Sequence, residues 1–337
     1  MSGPMEISRF TADDADDVGA ALEVVNVSSG VDSPWDPPEL LEHYDAQLRY
    51  GWDGEPDVPH LGTVDGRAVA VGALNLPERD NLHYAWLSVD VHPDHRRRGY
   101  GTAMLEHLLD RARKAGRTTA GIDGWESEAT YAFAARHGFV KKSQAIMRRQ
   151  RLAEVERADL EKLYDESARA ASSYDLVRIV GRTPPELMDA MVELTAAIND
   201  APTDDLDIED EVFTPERLTA YEDAVLARGN RFYRLVARHR ETGALGGHTV
   251  IGVDSARPAI AHQHDTAVVR AHRGHRLGLL LKSAMLLWLA DVEPQIETVD
   301  TWNAESNDHM IGVNERLGYR VVARELQFEK PLAARGA

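Results

Sequence analysis

The sequence predicts an α/β (α+β) fold built twice, as two tandem domains, each a mixed, mostly antiparallel sheet flanked by helices. Three observations carry this reading. An arginine-rich turn between a β-like apolar run and an amphipathic helix-like run occurs at residues 91–101 and again, 177 residues on, at 268–278. The order of strands and helices around the two turns is the same. Each copy then closes on a short helix and a glycine-aromatic pair, Gly138-Phe139 and Gly318-Tyr319. A three-residue insertion accounts for the difference in spacing, so an internal duplication follows.

Taken in order, residues 11–27 read as a first helix: Thr11 is a candidate N-cap, acids crowd the first turn, and Val18, Leu22 and Val25 recur at helical spacing. Residues 28–60 are rich in Pro, Gly, Asp and Trp, with a short helix at 38–49. Residues 60–64 and 67–76 flank Asp65-Gly66, the signature of a tight hairpin. A strand at 82–91 leads into the first arginine turn. A helix at 101–115 has Met104, Leu105, Leu108, Leu109 and Ala112 on one face and stops at Gly116. A strand at 118–122 and a helix at 127–137 complete the first copy. Residues 151–173, charged and alanine-rich, read as a helical linker between domains at 1–150 and 174–337. The order then restarts with a strand at 174–180 and a helix at 183–198, whose Pro184 and Pro185 fall in the tolerant first turn. A loop and helix, a hairpin (231–239 and 245–253) and a strand at 259–269 lead to the second arginine turn. A helix at 278–290, a strand at 297–302 and a helix at 308–317 follow.

The bulk numbers bound the function. A chain of 337 residues that is 43% hydrophobic and 28% charged is long enough for two cores. It has no cysteine, which removes disulfides, thiol nucleophiles and thiolate metal sites, and a reducing cytoplasm is the expected compartment. No stretch is apolar enough to span a membrane, and the start lacks the order of a secretion signal. A net charge of −18 argues against phosphate-driven nucleic-acid binding and is compatible with a cationic amine partner as well as with plain solubility.

A turn that delivers a strand into a helix N-terminus presents free backbone N–H groups, and the helix dipole favours an anion there. Glycine lets the main chain approach that anion closely. Arginines beside it suit a pyrophosphate. No Gly-x4-Gly-Lys-Ser/Thr motif, dinucleotide fingerprint, His-Glu-x-x-His or Gly-x-Ser-x-Gly elbow is present. The histidines of the two turns, His92, His95, His272 and His275, read as phosphate-contacting or structural rather than as metal ligands, and no metal is expected.

At these residues the chain resembles the GNAT acetyltransferase superfamily in a tandem two-domain form. Arg96-Arg97-Arg98-Gly99-Tyr100-Gly101 matches the family's loop fully, whereas Arg273-Gly274-His275-Arg276-Leu277-Gly278 has an arginine where the first glycine belongs. The resemblance implies acetyl-CoA as co-substrate. Its diphosphate would lie on Arg96, Arg97, Arg98, Gly99, Tyr100, Gly101 and Thr102 in the first copy, and on Val269, Arg273, Gly274, His275, Arg276, Leu277 and Gly278 in the second. The pantetheine arm would lie along a strand splayed from its neighbour, at Val89 and Val91 or at Val268. Backbone N–H groups of Val91 and Val268 would polarise the thioester carbonyl.

The family's usual proton-donating tyrosine falls at Ala134 and Asn314, neither of which can serve, and Tyr131, one turn before Ala134, is the substitute candidate. In the second copy, His262-Gln263-His264-Asp265-Thr266 puts polar groups on the acceptor-side strand, and Asp265 or His264 can take the ammonium proton. Asn303 and Asn307 can bond the pantetheine amides or cap a helix. Residues 199–211, acidic and without a base, would wall the acceptor pocket of the second domain. The expected activity is direct acetyl transfer from acetyl-CoA to the amine of a small molecule, with the second domain favoured as the catalytic one. A mycothiol-synthase-like acetyltransferase and a non-catalytic acyl-CoA sensor are the alternatives, and the oligomeric state stays open.

Overall fold

A computed structural model describes residues 4–333. The chain forms two compact units. Unit 1 takes the chain as far as Gln144, then Asp205–Glu209, then the chain from Arg324 on; unit 2 takes Ala145–Asp204 and Asp210–Ala323.

Unit 1 is built from β1 (Glu6–Arg9), α1 (Ala15–Asp32), α2 (Leu41–Tyr50), β2 (Val58–Val64), β3 (Arg67–Asn75), β4 (Tyr84–Val91), α3 (Tyr100–Lys114), β5 (Thr119–Trp125) and α4 (Glu128–Arg136). After β6 (Val140–Arg151), unit 2 carries α5 (Arg157–Ala170), β7 (Tyr174–Val180), α6 (Met188–Thr195), α7 (Pro215–Ala227), β8 (Asn230–His239), β9 (Leu245–Asp254), β10 (Ile260–Val268), α8 (Leu277–Val292), β11 (Thr298–Ala304) and α9 (Asp308–Arg316). The last strand is β12 (Arg320–Pro331).

The strand order β1-β2-β3-β4-β5-β12 in unit 1 is repeated as β7-β8-β9-β10-β11-β6 in unit 2. Pairing is antiparallel except between β4 and β5 and between β10 and β11, which are parallel. The duplication read from the sequence is therefore a duplication of topology. One feature departs from the boundaries expected at 150 and 174. Each unit is completed by the other half's last strand: β12 pairs with β5, from Glu325↔Trp125 to Pro331↔Thr119, and β6 pairs with β11, from Ala304↔Ala145 to Thr298↔Arg151. Residues 145–173, helix α5 included, accordingly belong to unit 2.

Helices cover both faces of each sheet. In unit 1, Met104, Leu105, Leu108, Leu109 and Ala112 of α3 are buried with Leu87, Ile122, Leu326 and Phe328, while Val18, Ala21 and Val24 of α1 pack with Phe10, Leu61 and Val71 on the other side. In unit 2, α8 is buried almost all round against α5 and the sheet, and α6 fills the opposite face with Met191 and Leu194. Helix ends follow local chemistry. Ser127, Thr214 and Asn307 accept amide hydrogen bonds as N-caps, and Gly116, Gly138 and Gly318 follow helix ends with positive φ. Helix α1 starts at Ala15, later than expected, because Asp14 turns its carboxylate back on the backbone N–H and hydroxyl of Thr11.

Candidate functional site

The arginine turn of unit 1 is held in a shape that offers amides to an anion. After a short 3-10 turn at Pro93–His95, Arg97 and Gly99 take left-handed conformations, φ 62° and 92°, and α3 begins at Tyr100. The first helical bond runs from the Ala103 N–H to the Gly99 carbonyl, so the amides of Tyr100, Gly101 and Thr102 precede any i−4 acceptor. Helix polarity adds a partial positive charge there.

Arg96 is occupied elsewhere. Its guanidinium clasps Asp32 at the end of α1 (2.8 and 2.6 Å), bonds Ser28, and donates from Nε to the Val91 carbonyl. This arginine ties the turn to α1. Arg97 and Arg98 remain as the turn's guanidinium partners for an anion, with Arg98 also bonding the Asp94 carbonyl.

Unit 2 repeats the arrangement. Arg273 donates from Nε to the Val268 carbonyl and, with Arg270, grips Asp200 at 2.6 Å, which holds that carboxyl below the usual range. Gly274 has φ 85° and Arg276 φ 56°, so an arginine does here in the left-handed region what Gly99 does in unit 1. Helix α8 begins at Leu277, and its first bond reaches back from Leu280 to Arg276, leaving the amides of Leu277, Gly278 and Leu279 ahead of it. His275 turns its Nδ1 to carbonyls of its own turn.

Both central parallel pairs part before the turn. Strand β4 pairs with β5 from Tyr84↔Thr119 to Leu87↔Ile122 and with β3 as far as Val91. Strand β10 pairs with β11 from Ile260↔Thr298 to His262↔Asp300 and with β9 as far as Val268. The next residues, His92 and Val269, send their N–H groups to Val69 and Gly246 of the neighbouring β3 and β9. Backbone groups alternate sides along a strand. Hence Val89 and Val91 in unit 1, and Val268 in unit 2, direct theirs into the opened gap. An extended amide-bearing chain fits such a gap, with its anionic end at the amides of the turn.

The expected catalytic residues fall unequally. His264 and Asp265 form a β-bulge on β10, between Gln263↔Ile251 and Thr266↔Thr249. The His264 Nδ1 lies 2.9 Å from the Tyr221 hydroxyl of α7, and burial lowers its pKa to about 3, so this imidazole is a poor proton acceptor. Burial raises the Asp265 carboxyl, with Arg234 opposing, which moves it toward a useful proton acceptor. Tyr131 stands on the exposed side of α4 with its hydroxyl 3.5 Å from Glu126. Partial desolvation and that carboxylate raise its pKa, which makes it a weaker proton donor for a departing thiolate. Asn307 caps α9, and Asn303 accepts from Asn314 at 2.7 Å, so both asparagines have local partners. The acidic segment is divided between the units: residues 199–204 and 210–211 belong to unit 2, where Asp200 meets the arginine turn, whereas Asp205–Glu209 belong to unit 1, where Asp207 receives a hydrogen bond from Thr119 and gives its N–H to Glu329.

Sequence reasoning missed the polar face of unit 1. Alternation puts Trp86, Asp123 and Trp125 on one side of the sheet, the side away from the α3 core. The Trp86 indole donates to Asp123 at 3.0 Å, and Trp35 meets Trp125 edge-on, centroids 5.1 Å apart. Glu325 of β12 hydrogen-bonds Asp123, and burial, reinforced by Asp123 and Asp36, raises its pKa to about 8. Burial lifts Asp90 to about 6. These groups converge from β4, β5, β12 and the segment after α1, and only the fold brings them together. Among the described residues no group of three or more His, Cys, Asp or Glu is arranged to hold a metal ion, and no helix is long and apolar enough to cross a membrane.

Comparison with known proteins places this geometry. Residues 28–139 match the acetyltransferase (GNAT) family. A tandem GNAT protein from the clavulanic acid biosynthesis pathway is 29% identical, with a TM-score of 0.83 over 98% of this chain and 99% of that one. Two more distant structures share the fold. A GCN5-related N-acetyltransferase from Sphaerobacter thermophilus is 16% identical, with a TM-score of 0.66 over 97% of this chain and 96% of its own. A glucosamine N-acetyltransferase region of a fungal multi-domain GH3 β-N-acetylglucosaminidase is 14% identical, with a TM-score of 0.67 over 96% of this chain and 38% of that one. No curated protein matches the chain.

Proposed function

The chain is a tandem GNAT protein, and on that premise we propose that it is an acetyl-CoA-dependent N-acetyltransferase that moves the acetyl group directly to the amine of a small molecule. One observation carries the reading: in each unit a parted parallel strand pair leads into a left-handed turn whose helix-start amides face outward. The amides of Tyr100, Gly101 and Thr102 with Arg97 and Arg98 suit the diphosphate in unit 1. Those of Leu277, Gly278 and Leu279 with Arg276 suit it in unit 2.

The N–H groups of Val91 and Val268 are the donors for the thioester oxygen, a stabilisation that grows as negative charge develops there. In unit 2, Asp265 is the carboxylate assigned to the ammonium proton. Without a cysteine, no acyl-enzyme through sulfur can form, which favours attack by the amine itself on the thioester. Calorimetry with CoA, followed by acetyl-CoA turnover over a panel of primary amines, tests the reading. Binding with transfer to at least one amine is expected. No CoA binding, or binding without transfer across the panel, overturns it, and the second outcome favours a sensor.

A further inference from the structure

The two units put different chemistry beside the parted parallel pair. By sheet register Asp300, opposite β6, corresponds to Gly121, opposite β12, and Asp123 corresponds to Trp302, so the Asp123 carboxylate has no counterpart in unit 2. In unit 2 the exchanged strand β6 sets Arg149 opposite Asp300, and the guanidinium holds both carboxylate oxygens at 2.7 and 2.8 Å. In unit 1 the exchanged strand β12 supplies an acid instead. Glu325 lies on the same sheet face, diagonal to Asp123, and hydrogen-bonds it, with Asp36 adding a further negative charge. A carboxyl pair in contact disfavours full ionisation until a cation arrives. Three indoles surround it. Trp86 lies across β5 because Gly121 has no side chain to obstruct it, Trp125 pairs opposite Glu325, and Trp35 packs on Trp125. Aromatic faces beside a carboxylate pair complement an ammonium on an apolar body.

We propose that unit 1 holds an acceptor site of its own, in which Asp123 and Glu325 receive a primary ammonium carried on an apolar or aromatic body and Glu325, supplied by the chain's last strand, takes its proton. The proposal deepens the acetyltransferase reading and rests on it. The Glu325 carboxylate removes one proton from the ammonium nitrogen. The freed lone pair forms the C–N bond at the thioester carbonyl, and the C–S bond breaks with its electron pair on sulfur. The second proton leaving nitrogen ends on that thiolate. Burial, with the Asp123 and Asp36 carboxylates, keeps Glu325 protonated until the pH approaches about 8, and Asp57 and Asp90 are the further acids that interact with Asp123. Turnover in unit 1 therefore rises with pH through that region.

The test uses the full chain with tryptamine, phenethylamine and 1,4-diaminobutane as acceptors. Asp265→Asn isolates unit 1, and Glu325→Gln is added to it. The single variant should retain transfer whose kcat/KM rises through an inflection near pH 8; the double variant should lose about 100-fold and the inflection, with CoA affinity unchanged. Three results overturn the proposal: no transfer by the Asp265→Asn chain when the wild type is active, full activity in the double variant, or parallel loss of CoA affinity, which would make Glu325 structural. Inactivity of the wild type with every amine, by contrast, overturns the acetyltransferase reading itself.

Discussion

An arginine in a turn whose sequence resembles a phosphate-binding loop invites assignment to the phosphate, yet Arg96 and Arg273 spend their guanidiniums on Asp32 and Asp200 and on a strand carbonyl. Their contribution to an anion site is to fix the turn. Asp32→Asn should therefore weaken CoA binding by about tenfold, roughly 1.4 kcal/mol, although Asp32 bonds Arg96 and not the helix-start amides; unchanged affinity by calorimetry would show that the turn holds without the clasp. A second residue speaks to stability. His248 on β9 is buried, neither ring nitrogen has a hydrogen-bond partner, and burial lowers its pKa to about 3. The unfolded chain binds a proton at this histidine below about pH 6.5 and the folded chain does not, so stability rises with pH across the interval and is lost on acidification. His248→Leu should remove a slope of about 1.4 kcal/mol per pH unit between pH 6.5 and the onset of acid unfolding. At neutral pH it should hold or raise stability by about 1 kcal/mol, because an orphaned polar group disappears. Denaturant unfolding at pH 5 and 7 measures both. The pattern of residue types pointed to the anion turns but not to these roles: Asp32 and Arg96 lie far apart in sequence, and nothing local marks His248 as buried.

At the scale of elements, the two turns solve one backbone problem with different residues. Gly99 sits at φ 92°, ψ −4°, outside the region L-residues favour, while Arg276 sits at φ 56°, ψ 26°, within the left-handed basin. A side chain at Gly99 would meet open space, so its substitution is a test of backbone alone. Gly99→Ala should cost about 1–2 kcal/mol and lower CoA affinity with it, whereas Arg276→Gly should change stability by less than about 0.5 kcal/mol, relief of strain being offset by chain entropy. Equal melting shifts in the two variants would contradict this. Helices α3, α4, α8 and α9, the hairpins and the strands before each turn were legible because periodicity, capping residues and Asp-Gly turns are local signals. Strands β6 and β12 were not. Val140–Arg151 carries so many charges that it reads as surface, and only pairing within the sheet buries Met147 and Gln150. The polar face of unit 1 was illegible for the same reason, since Glu325 reaches Asp123 through β12.

For the whole molecule, duplication explains the repeated topology, and the exchange of last strands explains why each half is incomplete by itself. Unit 1 buries Leu326, Phe328 and Leu332 in its core, and β12 covers the edge of β5. A chain ending at residue 323 would lose these three side chains, on the order of 5 kcal/mol at about 1.5–3 kcal/mol each, and would expose an unpaired strand edge. That loss is comparable to the whole stability of an ordinary domain. Unit 2, which keeps β6 through β11, retains its own sheet. Hydrogen exchange on the shortened chain should therefore show amide protection collapsing in β5 and α4 of unit 1 while β8, β9 and β10 of unit 2 stay protected. Transfer that depends on Glu325 should vanish with the strand, and a synthetic peptide of residues 324–333 should restore protection to β5. Persistent protection of β5 without that segment would mean that unit 1 folds from its own half alone, and that β12 is an addition to its sheet rather than the strand that completes it.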